Sequence, residues 1–84
     1  MELRDTIEMM QSEDYKERFK AEYFQVRIRI MKLSAMLEKY KNGTLDFKPS
    51  CKYDLLYRQC RHMIEYARCL EERATVEGID LKEN

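Results

Sequence analysis

Chain punctuation is scarce: two Gly and one Pro stand among 84 residues. Long uninterrupted segments follow from that. Neither charge is in surplus, with sixteen Lys and Arg against sixteen Asp and Glu. A protein that binds duplex DNA or RNA usually carries a basic excess, because phosphate neutralisation drives most of its affinity. The balance therefore argues against a nucleic-acid polymer as the main partner, while leaving room for a local basic face that holds a small anion. No apolar run reaches the roughly 18 to 20 residues that cross a bilayer. The opening MELRDTIEMM is acidic and lacks the apolar stretch of a secretory signal. No membrane is expected as a partner.

Chemistry-bearing residues are equally sparse. Cys51, Cys60 and Cys69 are odd in number and fall nine residues apart, a spacing that fits no zinc pattern and reads as free thiols in a reducing cytosol. His62 is the single histidine, and no Ser-His-Asp or Cys-His pairing can be built around it. The carboxylates form no cluster at metal spacing, and no glycine-rich phosphate loop is present. The chain is expected not to be an enzyme, with no catalytic residue, metal or cofactor.

What the chain has in quantity is helix formers in a strict period. A first long helix is predicted over 13–41, with Ser12 as its N-cap and Glu13 and Asp14 at the positive end of its dipole. Phe19, Tyr23, Val26, Ile30, Leu33, Leu37 and Tyr40 step by fours and threes along it, an unbroken heptad seam. A second helix is predicted over 51–77, capped by Ser50 and closed by Gly78. Its seam is Tyr53, Leu56, Cys60, Met63, Ala67, Leu70 and Ala74. The joining segment, 42–50, is short enough to force the helices antiparallel. Tyr40 then faces Tyr53, Leu33 faces Cys60, Tyr23 faces Leu70 and Phe19 faces Ala74.

The fold class is all-α: one long antiparallel hairpin in a single 1–84 domain. Residues 1–11 form a short helix or arm, through Leu3, Ile7 and Met10, that either docks on the hairpin or frays. In the tail, 78–84, Ile79 and Leu81 can fold back over the helix end, and Lys82-Glu83-Asn84 reads as disordered.

A second apolar stripe, Phe24, Ile28, Met31 and Ala35, lies roughly 150° around the first helix from its seam. The second helix adds Leu55, Cys69 and Val76 on one flank and Tyr57 and Ile64 on the other. Burial against other copies is the natural outcome for so much apolar surface. A homo-oligomer is expected, with Phe24, Ile28, Met31, Ala35, Leu55, Tyr57 and Ile64 at its interface. A three-helix monomer, in which the N-terminal helix covers the stripe, is the competing arrangement.

Binding has more material than catalysis. In the hairpin register Arg27, Arg29 and Lys32 lie level with Arg58, Arg61, His62 and Tyr66, and Arg68 extends the band. Tyr53 and Tyr57 lie alongside, and Lys48 and Lys52 bracket the start of the second helix. Guanidinium forks hold phosphates and aromatic faces stack on bases, so Arg27, Lys48, Lys52, Tyr53, Arg58, Arg61, His62 and Tyr66 are candidate ligands for a small anionic nucleotide. The blander reading has Arg61 with Glu65 and Arg68 with Glu72 as ordinary i,i+4 ion pairs, and His62 as a packed, partly buried residue.

Three segments also carry a resemblance: Asp14-Tyr15-Lys16-Glu17-Arg18, then Leu37-Glu38-Lys39-Tyr40, then Gly43-Thr44-Leu45-Asp46-Phe47-Lys48-Pro49-Ser50-Cys51. Met63-Ile64-Glu65-Tyr66, Leu70-Glu71-Glu72-Arg73-Ala74 and Glu77-Gly78-Ile79-Asp80-Leu81 extend it over about four-fifths of the chain. With these the chain resembles a family of small helical-hairpin proteins from crAss-like and Firmicutes phages. In architecture it is similar to the phage sponge proteins of the anti-CBASS and anti-Thoeris type, which sequester cyclic nucleotide or cyclic ADP-ribose signals at subunit interfaces. The resemblance implies an anti-defence protein in the cytoplasm of an infected bacterial host, binding an immune signal without cleaving it. A helical interaction module that blocks a host protein is the alternative.

Overall fold

The computed structural model describes residues 1–82. Within them the chain is all-helical: a 3₁₀ turn at Leu3–Thr6 continues into α1, Ile7–Met10, followed by α2, Tyr15–Asn42, and α3, Tyr53–Glu77. The long dimension of the molecule, 43 Å, is the length of α2 itself, 28 residues at about 1.5 Å each. α3 packs along α2 as its antiparallel partner.

Both ends of α2 differ slightly from expectation. Its N-cap is Asp14, whose carboxylate accepts from the Lys16 amide at 2.9 Å. Ser12 caps nothing in the helix; its hydroxyl accepts from the Asp14 amide at 3.0 Å and shapes the turn before it. The C-terminus closes on Gly43 at φ 71°, with Thr44 N–H bonded to Lys39 C=O at 2.9 Å and Gly43 N–H to Tyr40 C=O at 3.2 Å. That is the paired bonding of a Schellman cap, which needs a residue free to adopt positive φ.

α3 starts two residues later than expected, at Tyr53, with Lys52 in the cap position and no side-chain bond to the first turn. Ser50 and Cys51 stay in bends outside it. Its other end also closes on a glycine at positive φ, Gly78 at 71°, where the N–H groups of Gly78 and Ile79 both reach Ala74 C=O, that of Ile79 at 2.9 Å. The cap turns Ile79 inward, burying it with Phe19, Leu70 and Ala74. Leu81 packs half-buried on the same cluster, so the tail folds back as its apolar residues require. The expected disorder at Glu83 and Asn84 lies outside the described residues.

The seam closes in the expected register. Tyr40 meets Tyr53 edge-on at 5.6 Å, and Ile30, Leu37, Cys60 and Ala67 form the buried middle. Small Cys60 and Ala67 let the backbones approach there, and the Cys60 sulfur lies 3.4 Å from the Ser34 hydroxyl. At the far end Arg73 stacks over the Phe19 ring at 4.9 Å and donates to the Tyr15 hydroxyl at 2.7 Å, tying the start of α2 to the end of α3.

The N-terminal arm docks rather than frays. It packs on α2, with Thr6 fully buried and its hydroxyl accepting from Gln25 at 2.9 Å, while Lys32 pairs with Glu2 at 3.0 Å. Ala21, Phe24 and Ile28 are buried on this outer face. Phe24 and Ile28 are therefore satisfied within one chain, and of the expected interface stripe only Met31 and Ala35 remain open. Of the three expected arm residues only Leu3 is half-buried; Ile7 and Met10 are exposed, because the arm turns Thr6 and Met9 inward instead. Met1 and Leu81 line a cavity beside Phe24 and Ile28.

Candidate functional site

The expected basic band lies level along the hairpin but does not form one surface. At 100° per residue Arg27 and Arg29 point about 160° apart. Arg58 and Arg61 are about 60° apart on α3, yet each lines a groove on a different flank. The structure distributes the eight candidates over both flanks, the tip and the outer face.

One flank of α3 carries a groove of about 490 Å³, lined by Cys51, Leu55, Arg58, Gln59, His62 and Tyr66, with half-buried Leu56 and Met63 toward the seam. Helical spacing explains the grouping. Leu55, Gln59, His62 and Tyr66 step by four, three and four, and so project along one line. His62 is exposed here, not partly buried as its alignment with Leu55 and Cys69 suggested. That line sits too far from the seam for α2 to cover it, and Leu55 and Cys69 are exposed for the same reason. Three of the candidates, Arg58, His62 and Tyr66, thus share a site whose walls are mainly apolar.

The opposite flank has a groove of about 370 Å³ between the two helices, with Ser34, Glu38 and Lys41 on one wall and Tyr53, Tyr57, Arg61 and Ile64 on the other. The Tyr53 and Tyr57 rings stack at 6.0 Å and 17°. Ile64, expected at an interface, is half-buried against the Ile30–Cys60 cluster. Lys48 lines a third groove at the tip of the hairpin, beside Tyr40 and Phe47. Arg27 borders the cavity next to Phe24 and Met31. Lys52 lies at the exposed head of α3 and joins none of these groups.

Arginine pairing decides how much cation is left for a ligand. Arg68 bonds Glu65 at 2.8 Å, three residues away, and Arg73 bonds Glu77 at 3.3 Å. The expected Arg61–Glu65 and Arg68–Glu72 pairs do not form. Among the described residues Arg58 and Arg61 have no carboxylate partner, so each groove on α3 keeps one uncommitted guanidinium beside a tyrosine. Planar donors next to aromatic faces suit a phosphate attached to a ring.

The Sequestin family model matches residues 13–76, which span α2, the hairpin loop and nearly all of α3. The chain belongs to the Sequestin family. The Sequestin match includes both α3 grooves and leaves out the N-terminal arm and the Gly78–Leu81 turn. No curated protein and no solved structure matches the chain. Sequence reasoning missed Gln59 and Cys51 as groove residues; the four-three-four line through Leu55 and Tyr66 carried the signal for Gln59.

Proposed function

We propose that this Sequestin is a phage anti-defence protein that binds a small cyclic nucleotide immune signal and holds it without cleaving it, in the cytoplasm of the infected bacterium. The observation that carries the reading is the groove where unpaired Arg58 stands with His62 and Tyr66 over an apolar floor. The family's name supports sequestration. The guanidinium meets a phosphate oxygen bidentately, Tyr66 offers a face to a base, and Leu55, Leu56 and Met63 exclude water from the rest. Inhibition is stoichiometric: each bound molecule is withdrawn from the host effector and no bond is broken. The chain works as a homo-oligomer, with exposed Leu55 and Tyr57 meeting other copies.

Isothermal titration with cyclic dinucleotides and cyclic ADP-ribose, paired with native mass spectrometry, tests this directly. A ligand of the right class binds at about 1 µM or tighter. Arg58→Ala weakens it by about tenfold or more, as loss of a charge-assisted bond to phosphate does. Absence of binding to every member of the panel, with the protein folded, sinks the reading. The alternative, a helical module that blocks a host protein, is favoured by Met31, which is 65% exposed. Its signature is a stable complex with a host protein and no retained small molecule.

A further inference from the structure

Two apolar stripes run along α2, and only the inner one is covered by a helix of matching length. The outer stripe steps Ala21, Phe24, Ile28, Met31 and Ala35, a second heptad series. Its first three residues are buried, while Met31 and Ala35 are exposed. The helical part of the cover is the N-terminal arm, Leu3–Met10, which contacts α2 and no other helix among the described residues.

The arm shows which chemistry this face accepts. It carries Glu2, Asp5 and Glu8 against a single Arg4. It runs antiparallel to α2, with Glu2 at Lys32 and Thr6 at Gln25. Arg27 and Lys32 flank the stripe on opposite sides, and α2 has no Asp or Glu between Glu22 and Glu38. An acidic helix with apolar residues at heptad spacing complements that pattern. The arm itself is one 3₁₀ turn and one α turn, far below the ~12–15 residues at which an isolated helix holds together. Its first residues reach Lys32 yet leave Met31 65% exposed, and it lies outside the Sequestin match.

We propose that the outer face of α2 is a docking surface for an acidic amphipathic helix of a partner protein, and that the N-terminal arm is its built-in competitor. A partner helix of about four turns spans Ala21 to Ala35. It displaces the arm, covers Met31 and Ala35 as well as Phe24 and Ile28, and sets its carboxylates against Arg27 and Lys32. The arm lowers apparent affinity by the fraction of time it leaves the face free.

The test uses the full chain and a fluorescein-labelled helical peptide of about five turns, with Leu and Ile at heptad positions and Glu on the flanks. A second peptide carries Lys on the flanks. Anisotropy should show binding of the Glu peptide and none of the Lys peptide. Thr6→Arg, which places a guanidinium at the arm's fully buried position, should tighten binding by about tenfold. Met31→Glu, at a position folding does not use, should weaken it by about tenfold. Equal binding of both peptides, indifference to Met31→Glu, or no binding by a Thr6→Arg chain of full helix content overturns the proposal. Should Thr6→Arg disturb the hairpin, Glu2→Lys breaks the exposed pair with Lys32 and should tighten binding about twofold; no change there removes the competitor role.

Discussion

The two apolar faces of α2 obey one rule of spacing and meet different fates. The inner seam lies against α3 over its whole length, and its centre is dry: Leu70 is 1% exposed and Ala67 2%. The outer stripe is covered for half its length by a segment of one α turn, held by one buried threonine and an exposed ion pair. Period identifies a face that must be buried. What buries it depends on chain connectivity, and the short Ser12–Asp14 turn decides that here by folding the arm back onto α2.

The largest expected effect breaks the seam. Leu70 packs with Phe19, Ala74 and Ile79, and Leu70→Ala should cost about 2–5 kcal/mol, from lost burial plus the cavity left behind. Met31→Ala, at the open end of the outer stripe, should stay within about 0.5 kcal/mol. Urea denaturation of the two variants measures the contrast, and similar costs would mean that the outer face is covered in solution as thoroughly as the inner one.

The next effect belongs to the arm. Thr6 donates to Leu3 C=O at 2.7 Å and accepts from Gln25, both within its own segment and α2. Thr6→Ala should loosen the arm by about 1 kcal/mol and raise hydrogen exchange over residues 3–10, leaving exchange in the α2–α3 seam unchanged. Matched acceleration in both regions would show that the arm and hairpin open as one unit.

Much of the hairpin was legible because its signals are local and redundant. Two heptad seams and a short loop allow one antiparallel register, and Tyr40 opposite Tyr53 is that register. Cap positions were less legible. Ser12 and Asp14 are both good caps two residues apart, and the choice rests on turn geometry. The α3 start was obscured because Ser50 looks like a cap while Lys52, which occupies the position, offers no acceptor. The candidate site was legible in residue type and in height along the axis, but not in direction. Arg58, His62 and Tyr66 share a groove, whereas Arg61 and Tyr53 line the groove on the other flank. Arg61 is only about 60° around the helix from Arg58, and that step is enough to change flank. That Arg68 would choose Glu65 over Glu72 also depends on rotamers, on which spacing is silent.

A smaller effect tests the cap that brings the tail to the seam. Gly78 sits at φ 71°, and Gly78→Ala should cost about 1 kcal/mol because an L side chain is strained there. No heavy atom would meet the added Cβ, so the cost is conformational and not steric. Ala at Gly43 faces the same φ and the same open space, but Thr44 beyond it is exposed where Ile79 is buried. Gly78→Ala should therefore be the costlier of the two, and the reverse order would remove the role given to Ile79.

The smallest effect concerns the rim of the seam, where Tyr23 donates to the Glu71 carboxylate at 2.6 Å. Partial burial, and then the carboxylate it bonds, raise this phenol above its ordinary value of 10.0. The unfolded chain consequently releases the proton at lower pH than the folded one. Stability tied to the bond is whole below about pH 10 and is lost as pH rises through the folded value. Water reaches the pair, so screening keeps the effect within about 1 kcal/mol. Other tyrosines and lysines titrate in the same range, and subtraction isolates this one. The stability gap between the natural chain and Tyr23→Phe should be constant from about pH 8 up to about pH 10 and narrow as pH rises further. A gap that stays flat as the phenol is titrated would mean the bond does not bridge the helices in solution, and that the seam holds through its apolar residues alone.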